Sequence, residues 1–116
     1  MKHTVSLKLN HVFQRLYRKG NSAVSPNLAI YVRRNGRKES RLGLTVSTKV
    51  GKAVVRNRTR RRLREVYRTN EARLKPGYDV VVVARVRAAH SKYHTLEKEF
   101  LRLAAKVGLL EKESQE

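Results

Sequence analysis

The central part of the chain, residues 42–85, reads LGLTVSTKVGKAVVRNRTRRRLREVYRTNEARLKPGYDVVVVAR. Its first segment, Leu42 to Ser47, alternates apolar with small or polar residues, which predicts a half-buried strand. From about Ala53 to Arg73 nothing breaks a helix, and Pro76-Gly77 ends this unit. The β-branched run from Asp79 to Arg85 predicts a strand buried on both faces. The stretch therefore predicts a strand-helix-strand crossover at the centre of the fold.

The segment before this stretch predicts one helix and one more strand. A helix from His11 to Lys19 is capped by Asn10 and carries an apolar stripe at helical spacing. Residues Leu28 to Arg34 alternate in the way a half-buried strand does. Because Asn35-Gly36 supplies a turn, we expect this strand to form an antiparallel hairpin with the strand that begins at Leu42.

The last part of the chain predicts a final helix and a polar end. Apolar residues that include Leu96 and Phe100 recur at helical spacing, and Gly108 supplies the stop. We expect the acidic tail, residues 109–116, to fray. No repeat or linker divides the 116 residues, so residues 1–116 are predicted to form a single α/β domain of helix, strand, strand, helix, strand and helix.

Positive charge is concentrated in the first half of the chain. The sequence holds 28 Lys+Arg against 9 Asp+Glu, a formal net charge of +19, with a pI near 11.3. Residues 1–64 contain a single acid, Glu39, and residues 49–64 contain eight bases and no acid. Such a concentration of uncompensated bases predicts a polyanionic partner that offers phosphate groups. A solvated surface or an anionic membrane would also account for a charged run.

The central predicted helix separates an apolar side from a basic side. At a helical turn of about 100° per residue, the core side holds Val55, Thr59, Leu63 and Val66. The opposite side holds Asn57, Arg60, Arg61, Arg64 and Arg68. A guanidinium bonds two phosphate oxygens or two base-edge acceptors at once. Since Glu65 is the only acid of this predicted helix before Glu71, repulsion among these arginines stays uncompensated unless an anion binds.

Three aromatic residues lie near basic ones and are candidates for stacking on unpaired bases. Phe13 and Tyr17 are four residues apart on the first predicted helix, a spacing that is more common in a hydrophobic core. Tyr31 lies beside Arg33, on the strand face opposite Ile30, and this position is a better candidate for stacking. Each stacked base would contribute about 1–3 kcal/mol.

Nothing in the sequence suggests catalysis by protein side chains. The absence of cysteine excludes thiolate metal sites and disulfides. His90 and His94 are four residues apart without a nearby third ligand, which is typical of a solvated helix surface. Gly51-Lys52 lacks the upstream glycine and the following Ser or Thr of a phosphate-binding loop. We expect no catalytic or metal site on the protein, and a soluble, intracellular chain, because no apolar run reaches the length of a membrane span.

The segment from Gly43 to Glu65, a strand, a short basic loop and an Arg-Asn-Arg helix, resembles the signature of the bacterial ribonuclease P protein component. The likeness continues at residues 13–20, at the strand of Tyr31 and at residues 79–85, so that it spans nearly the whole chain. The family often has Lys where Thr48 stands here, which leaves the phosphate-binding role of that position open.

This resemblance implies a fold and a function. The fold would be an α+β sandwich with a central sheet and a left-handed strand-helix-strand crossover, akin to the second domain of a small-subunit ribosomal protein. The protein would be the cytoplasmic subunit of a ribonucleoprotein endonuclease that removes the 5′ leader from precursor tRNA. Its partners would be the catalytic RNA, which carries Mg²⁺, and precursor tRNA, with no membrane, no further protein and no cofactor bound by the protein alone.

The resemblance also implies two groups of binding residues. The catalytic RNA would be bound by Arg56, Asn57, Arg58, Arg60, Arg61, Arg64 and Arg68. The single-stranded leader would be bound by Phe13, Tyr17, Tyr31, Ser47 and Lys49. The narrow cleft that these leader-binding residues form would favour an extended strand over a duplex.

Two other functions share these features. A basic ribosomal or ribonucleoprotein assembly protein would have the same charge and size without a role in cleavage. A DNA-binding regulator would place the arginine helix in a major groove, but a strand precedes that helix where a helix-turn-helix needs another helix. Enhanced removal of the 5′ leader from precursor tRNA distinguishes a ribonuclease P subunit from both.

Overall fold

The computed structural model describes residues 4–7 and 10–111, and these form five strands and three helices. In chain order the elements are β1 Thr4–Ser6, α1 Asn10–Lys19, β2 Asn21–Val24, β3 Leu28–Arg34, β4 Ser40–Val46, α2 Ala53–Asn70, β5 Tyr78–Ala84 and α3 Tyr93–Lys106. Single 3₁₀ turns cover Thr48–Val50, Glu71–Arg73 and Val86–His90. The predicted helices and strands are all present, whereas β1 and β2 were not predicted.

The described strands form one mixed sheet in the order β1-β4-β5-β3-β2. β4 and β5 are parallel neighbours, with Leu42 opposite Val80, and α2 connects them. The α+β class and the strand-helix-strand crossover are therefore confirmed, while the left-handed sense of the crossover stays a prediction. β5 is the central strand, and Val80, Val81 and Val82 are at most 2% exposed, as expected for a strand buried on both faces.

The predicted hairpin between β3 and β4 is wrong. β5 lies between these two strands and pairs antiparallel with β3 and parallel with β4. The antiparallel neighbour of β3 is instead β2, a four-residue strand whose residues are mostly exposed. Alternation in the sequence identifies the buried face of a strand but not its partner. A strand that is apolar on both faces buries the most apolar surface at the centre of the sheet, so β5 lies between β3 and β4.

The two faces of the sheet are covered unequally. Helices α2 and α3 cover one face, where the rings of Tyr67 and Phe100 meet with their centroids 6.1 Å apart. On the other face α1 packs Val12 and Leu16 against Val81. One helix is narrower than the sheet, so part of this second face stays open beside α1.

The end of the described chain packs against the body of the protein. Leu109 is 0% exposed, and its carbonyl accepts a 2.8 Å hydrogen bond from the backbone N–H of Lys75. Leu110 forms an isolated bridge with Leu74. The fraying predicted from residue 109 is therefore wrong for residues 109–111, because Gly108, with φ of 77°, turns the chain back so that Leu109 reaches the core. The remainder of that prediction, residues 112–116, lies outside the described residues.

A buried carboxylate joins α3 to the turn between β2 and β3. Glu99 is 8% exposed and accepts hydrogen bonds from the Ser25 hydroxyl, the Asn27 side-chain amide and, at 3.0 Å, the Asn27 backbone N–H. Burial by itself raises the pKa of Glu99, but these hydrogen bonds and the charge of Arg102 outweigh it and hold the pKa below its ordinary value. The fold therefore stabilises the charged form of this carboxyl group.

We expect Glu99→Gln to reduce the dependence of stability on acid. Because the folded pKa is below the ordinary 4.5, the stabilisation is complete above that value and is lost as the pH falls through the folded pKa. At about pH 7 the free energy of unfolding of the variant should be about 1–3 kcal/mol below that of the parent, since the Ser25 and Asn27 donors lose a charged acceptor. Near pH ~3 this difference between variant and parent should become smaller. Urea denaturation at both pH values measures this, with Glu39→Gln as a control at an exposed carboxylate. A gap of the same size at both pH values would contradict the expectation.

Candidate nucleic-acid interface

The exposed face of α2 carries most of the residues predicted to bind the catalytic RNA. The exposed members are Asn57, Arg58, Arg61, Arg64 and Arg68. Arg56 and Arg60 are half-buried, so Arg60 lies at the border of the exposed face and not opposite the core as predicted. The predicted core side is confirmed: Thr59, Leu63 and Val66 are at most 2% exposed, and Val55 is half-buried against the core. Within the described chain, no helix combines the length and the apolar character needed to cross a membrane.

Most arginines of this face lack a carboxylate partner. Arg68 pairs with Glu65, three residues earlier, and the Arg60 guanidinium donates a 3.0 Å hydrogen bond to the Asn57 side-chain oxygen. Among the residues that the structure describes, the other predicted RNA-binding arginines, Arg56, Arg58, Arg61 and Arg64, form no ion pair. We call the surface of α2 that is formed by the seven predicted RNA-binding residues, Arg56, Asn57, Arg58, Arg60, Arg61, Arg64 and Arg68, the arginine face. Its charge is available to an external anion.

Two arginines of α2 have polar atoms turned toward the protein itself. Nη1 of Arg62 donates a 3.1 Å hydrogen bond to the Ser91 carbonyl and so connects α2 to the segment that precedes α3. Nε of Arg56 is buried and has no hydrogen-bond partner among the described residues. Spacing on the helix did not distinguish Arg62 from its neighbours, because the Ser91 carbonyl comes close only in the tertiary structure.

The three predicted aromatic residues lie together on the open face of the sheet. The rings of Tyr17 and Tyr31 pack edge to face with centroids 4.9 Å apart, and the Tyr17 hydroxyl lies 3.5 Å from the Thr45 hydroxyl. The Phe13 ring lies against Gly43, where an added Cβ would be 2.5 Å from Cζ of the ring. Tyr17 is 43% exposed, and Phe13 and Tyr31 are half-buried. We call the surface formed by Phe13, Tyr17, Tyr31 and Thr45 the aromatic groove.

The other two predicted leader-binding residues lie in the loop that follows β4. Ser47 and Lys49 are exposed, while Val50 is buried and anchors the loop. Gly51 has φ of 155°, and a Cβ at this position would lie 3.0 Å from the Val55 side chain, so glycine allows the loop to pack closely on α2. The loop therefore leads from the end of the aromatic groove to the beginning of the arginine face.

The arginine face and the aromatic groove meet at one edge of the sheet. Among the described residues, β1 pairs with β4 only as far as Leu42, so no described strand pairs with this edge of β4 beyond that residue. A cavity of about 170 Å³ lies there, lined among others by Phe13, Gly43, Arg60 and Arg64. Phe13 reaches this cavity from the α1 side and the two arginines reach it from the α2 side. We call it the edge cavity. The sequence alone did not bring these residues together, because the pairing of β1 was not predicted.

These features define a class of protein. A mixed α+β chain with a net charge of +19, an arginine face on which most guanidiniums lack a carboxylate partner and an aromatic groove beside it has the characteristics of a nucleic-acid-binding protein. Comparison with known proteins identifies the family. The model of the Ribonuclease P family matches residues 1–108, and the chain belongs to this family.

Curated relatives and solved structures agree with this membership. The chain is 42% identical to the ribonuclease P protein component of Natranaerobius thermophilus over 112 residues, 97% of each chain, and 40% identical to that of Alkaliphilus oremlandii over 110 residues, 95% of this chain and 96% of the relative. It superposes on the RNase P protein of Staphylococcus aureus with a TM-score of 0.82 at 28% identity, covering 91% of this chain and 97% of the other. For the Thermotoga maritima protein the TM-score is 0.76 at 31% identity, with 84% and 92% covered. The predicted resemblance is confirmed, and it associates the chain with tRNA processing by a ribonucleoprotein nuclease.

Proposed function

We propose that this chain is the protein subunit of ribonuclease P, that it binds the catalytic RNA and the 5′ leader of precursor tRNA, and that it thereby promotes endonucleolytic removal of the leader in the cytoplasm. Family membership supports the general role. The observation that carries the finer proposal is the edge cavity, where the arginine face and the aromatic groove meet. One protein surface can thus contact two RNA elements at the same time.

The arginine face is the proposed contact for the catalytic RNA. Its members are Arg56, Asn57, Arg58, Arg60, Arg61, Arg64 and Arg68. A helix that packs firmly on the core holds the backbone of these residues at fixed spacing, so no backbone conformational freedom has to be lost when phosphates bind. Neutralising RNA phosphates also releases counterions, which makes such binding favourable at low salt.

The aromatic groove is the proposed contact for the leader. Phe13, Tyr17 and Tyr31 present ring surface to unpaired bases, and Ser47 and Lys49 offer a hydroxyl and a charge to the phosphates of the same strand. Stacking tolerates every base, so sequence preference within the leader should be modest. Since mature tRNA has no leader, this contact favours the precursor over the product.

The proposal leaves the cleavage step to the RNA subunit and its Mg²⁺. Among the described residues of the protein, no three His, Asp or Glu side chains are grouped in a way that could hold a metal ion. The protein contributes positive charge beside two polyanions, which lowers their mutual repulsion and reduces the concentration of free Mg²⁺ that the complex needs.

Reconstitution tests the proposed function. The purified chain is added to a ribonuclease P catalytic RNA at low Mg²⁺, and removal of the 5′ leader is followed on precursor tRNA. We expect faster cleavage and tighter precursor binding than with the RNA alone. If the chain binds the catalytic RNA but leaves leader removal unchanged, it is an assembly protein and the proposal is wrong.

Tyr31→Ala is expected to weaken binding of precursor tRNA more than binding of mature tRNA. Loss of one stacked base costs about 1–3 kcal/mol, or about 5- to 150-fold in affinity, and only the precursor supplies that base. Affinities for both tRNAs are measured with the reconstituted complex. Tyr31→Phe keeps the ring and its edge-to-face contact with Tyr17, so it should retain the preference. An equal loss for both tRNAs would remove Tyr31 from the leader contact.

A further inference from the structure

A second group of arginines lies on the other flank of α1 from the aromatic groove, with Arg33 on the same sheet face as Tyr31 and Arg34 at the last position of β3. Arg15 of α1, Arg33 and Arg34 of β3 and Arg41 of β4 line a cavity of about 210 Å³. We call this cavity the arginine hollow. In the sheet, Asp79 of β5 lies between Arg33 of β3 and Arg41 of β4. Two residues further along the strands, on the same face, Tyr31 and Gly43 lie on either side of Val81. Helix α1 therefore separates the arginine hollow from the aromatic groove.

Among the described residues, Asp79 is the only carboxylate that lines the arginine hollow, and both of its oxygens already accept hydrogen bonds. Asp79 accepts hydrogen bonds of 2.7 Å on each oxygen from Nε and Nη2 of Arg41, and a third, of 3.1 Å, from the Asn35 side-chain amide. This bidentate pair fixes the Arg41 guanidinium. Arg15, Arg33 and Arg34 are exposed and form no hydrogen bond or ion pair through their side chains within residues 4–7 and 10–111. The lining thus includes three positive side chains that have no carboxylate partner among the described residues.

We propose that the arginine hollow is an oxyanion site that takes a phosphodiester group of RNA. Exposed arginines from two elements, Arg15 of α1 and Arg33 of β3, line the same small cavity, and their guanidinium groups can donate strong charge-assisted hydrogen bonds to the oxygens of one phosphate. The cavity is smaller than the pockets of about 300–1,000 Å³ that hold small molecules, so it accommodates a phosphate group and not a whole nucleotide. Its apolar lining is aliphatic, Val12 and Leu16, and offers no ring for a base.

The arginine hollow is a third RNA contact, in addition to the arginine face and the aromatic groove of the proposed function. The phosphate that it binds has two possible sources. Because α1 stands between the hollow and the aromatic groove, a phosphate in the hollow belongs either to the catalytic RNA or to a part of the leader that has passed around α1. Both sources present the same phosphodiester chemistry. They differ in which RNA is needed for the hollow to affect binding.

The test compares the parent protein with Arg33→Gln/Arg34→Gln and with the control Arg37→Gln. Arg37 is an exposed arginine in the connection between β3 and β4, and it faces Glu39 at 3.7 Å instead of the hollow. Both variants change exposed residues, and denaturation curves check that they fold. In the first arm, the affinity of the protein for the catalytic RNA alone is measured at several salt concentrations. In the second arm, the affinity of the assembled complex for precursor tRNA is measured at several salt concentrations, with long and with shortened leaders.

In one of the two arms, we expect the double variant to bind RNA about tenfold or more weakly than the parent protein. The slope of log K against log salt should fall by about 0.7–1.8 in that arm, which corresponds to the loss of one or two phosphate contacts. Loss in the first arm assigns the phosphate to the catalytic RNA; loss confined to long leaders assigns it to the leader. Arg33→Lys/Arg34→Lys should keep the salt slope and recover part of the affinity. If the double variant matches Arg37→Gln in both arms, the hollow binds no RNA phosphate. Leader removal by the parent protein is scored separately, so the proposed function and the hollow can fail independently.

Discussion

Replacing Asp79 with alanine is expected to lower the free energy of unfolding by about 3–5 kcal/mol, because removal of one partner of a buried ion pair leaves the other charge uncompensated. Asp79 is 6% exposed and joins β5 to Arg41 of β4 at the start of the crossover. The hydrogen bond from Arg41 to Asp79 and the charge of Asp79 raise the pKa of Arg41. Without this carboxylate, Arg41 would remain in a cavity lining whose other charged residues are Arg15, Arg33 and Arg34.

Chemical denaturation of the parent and the variant in the same salt measures the loss. Glu39→Ala is the matched control, since that carboxylate is 53% exposed and pairs with Arg37 at 3.7 Å, and exposed pairs contribute about 0–1 kcal/mol. Added phosphate or sulfate should recover part of the stability of Asp79→Ala if an anion enters the arginine hollow. A variant within about 1 kcal/mol of the parent would show that the pair contributes little to stability.

The largest expected effect on RNA binding comes from Arg60→Ala/Arg64→Ala. Both residues line the edge cavity, and neither has a carboxylate partner within the described chain. Each charge-assisted contact contributes about 1.5–3 kcal/mol, so the double variant should bind the catalytic RNA about 100-fold or more weakly. The dependence of log K on log salt should fall by about 1.4–1.8, since each lost phosphate contact removes about 0.7–0.9.

Two single variants make this measurement specific. Arg68→Ala should change the salt slope less than either Arg60→Ala or Arg64→Ala, because Glu65 already neutralises Arg68. Lys106→Ala removes an exposed charge from the last turn of α3 and should have little effect. Unaltered slopes for Arg60→Ala/Arg64→Ala would show that these two guanidiniums do not contact phosphate.

The local elements could be predicted because their patterns are complete within short segments. The apolar stripe of α2 and the continuous β-branched run of β5 each indicate which residues of that element are buried. β1 and β2 were missed because they have three and four residues and are mostly exposed, which leaves no period to detect. The predicted hairpin was wrong for a related reason: the partner of β3 is chosen by the competition among all strands for the centre of the sheet.

Part of the candidate site could be predicted from the sequence, and part became evident only in the tertiary structure. The bases of α2 and the aromatic residues near them were identified from composition, spacing and resemblance. The structure brings Phe13, Tyr17 and Tyr31 into one groove and leaves Ser47 and Lys49 in the adjoining loop. The position of Arg60 at the edge cavity, the use of Arg62 by the Ser91 carbonyl and the arginine hollow had no signal in the sequence, because each depends on residues from separate elements.

The sequence by itself determined the secondary-structure elements of the crossover, the charge of the chain and the family to which it belongs. Only the tertiary structure decided which strands pair, which arginines are already neutralised and where the aromatic and cationic surfaces meet. The physical reason is the range of each interaction: helical and strand periods depend on neighbours a few residues apart, whereas strand order and charge pairing depend on groups that only folding brings together.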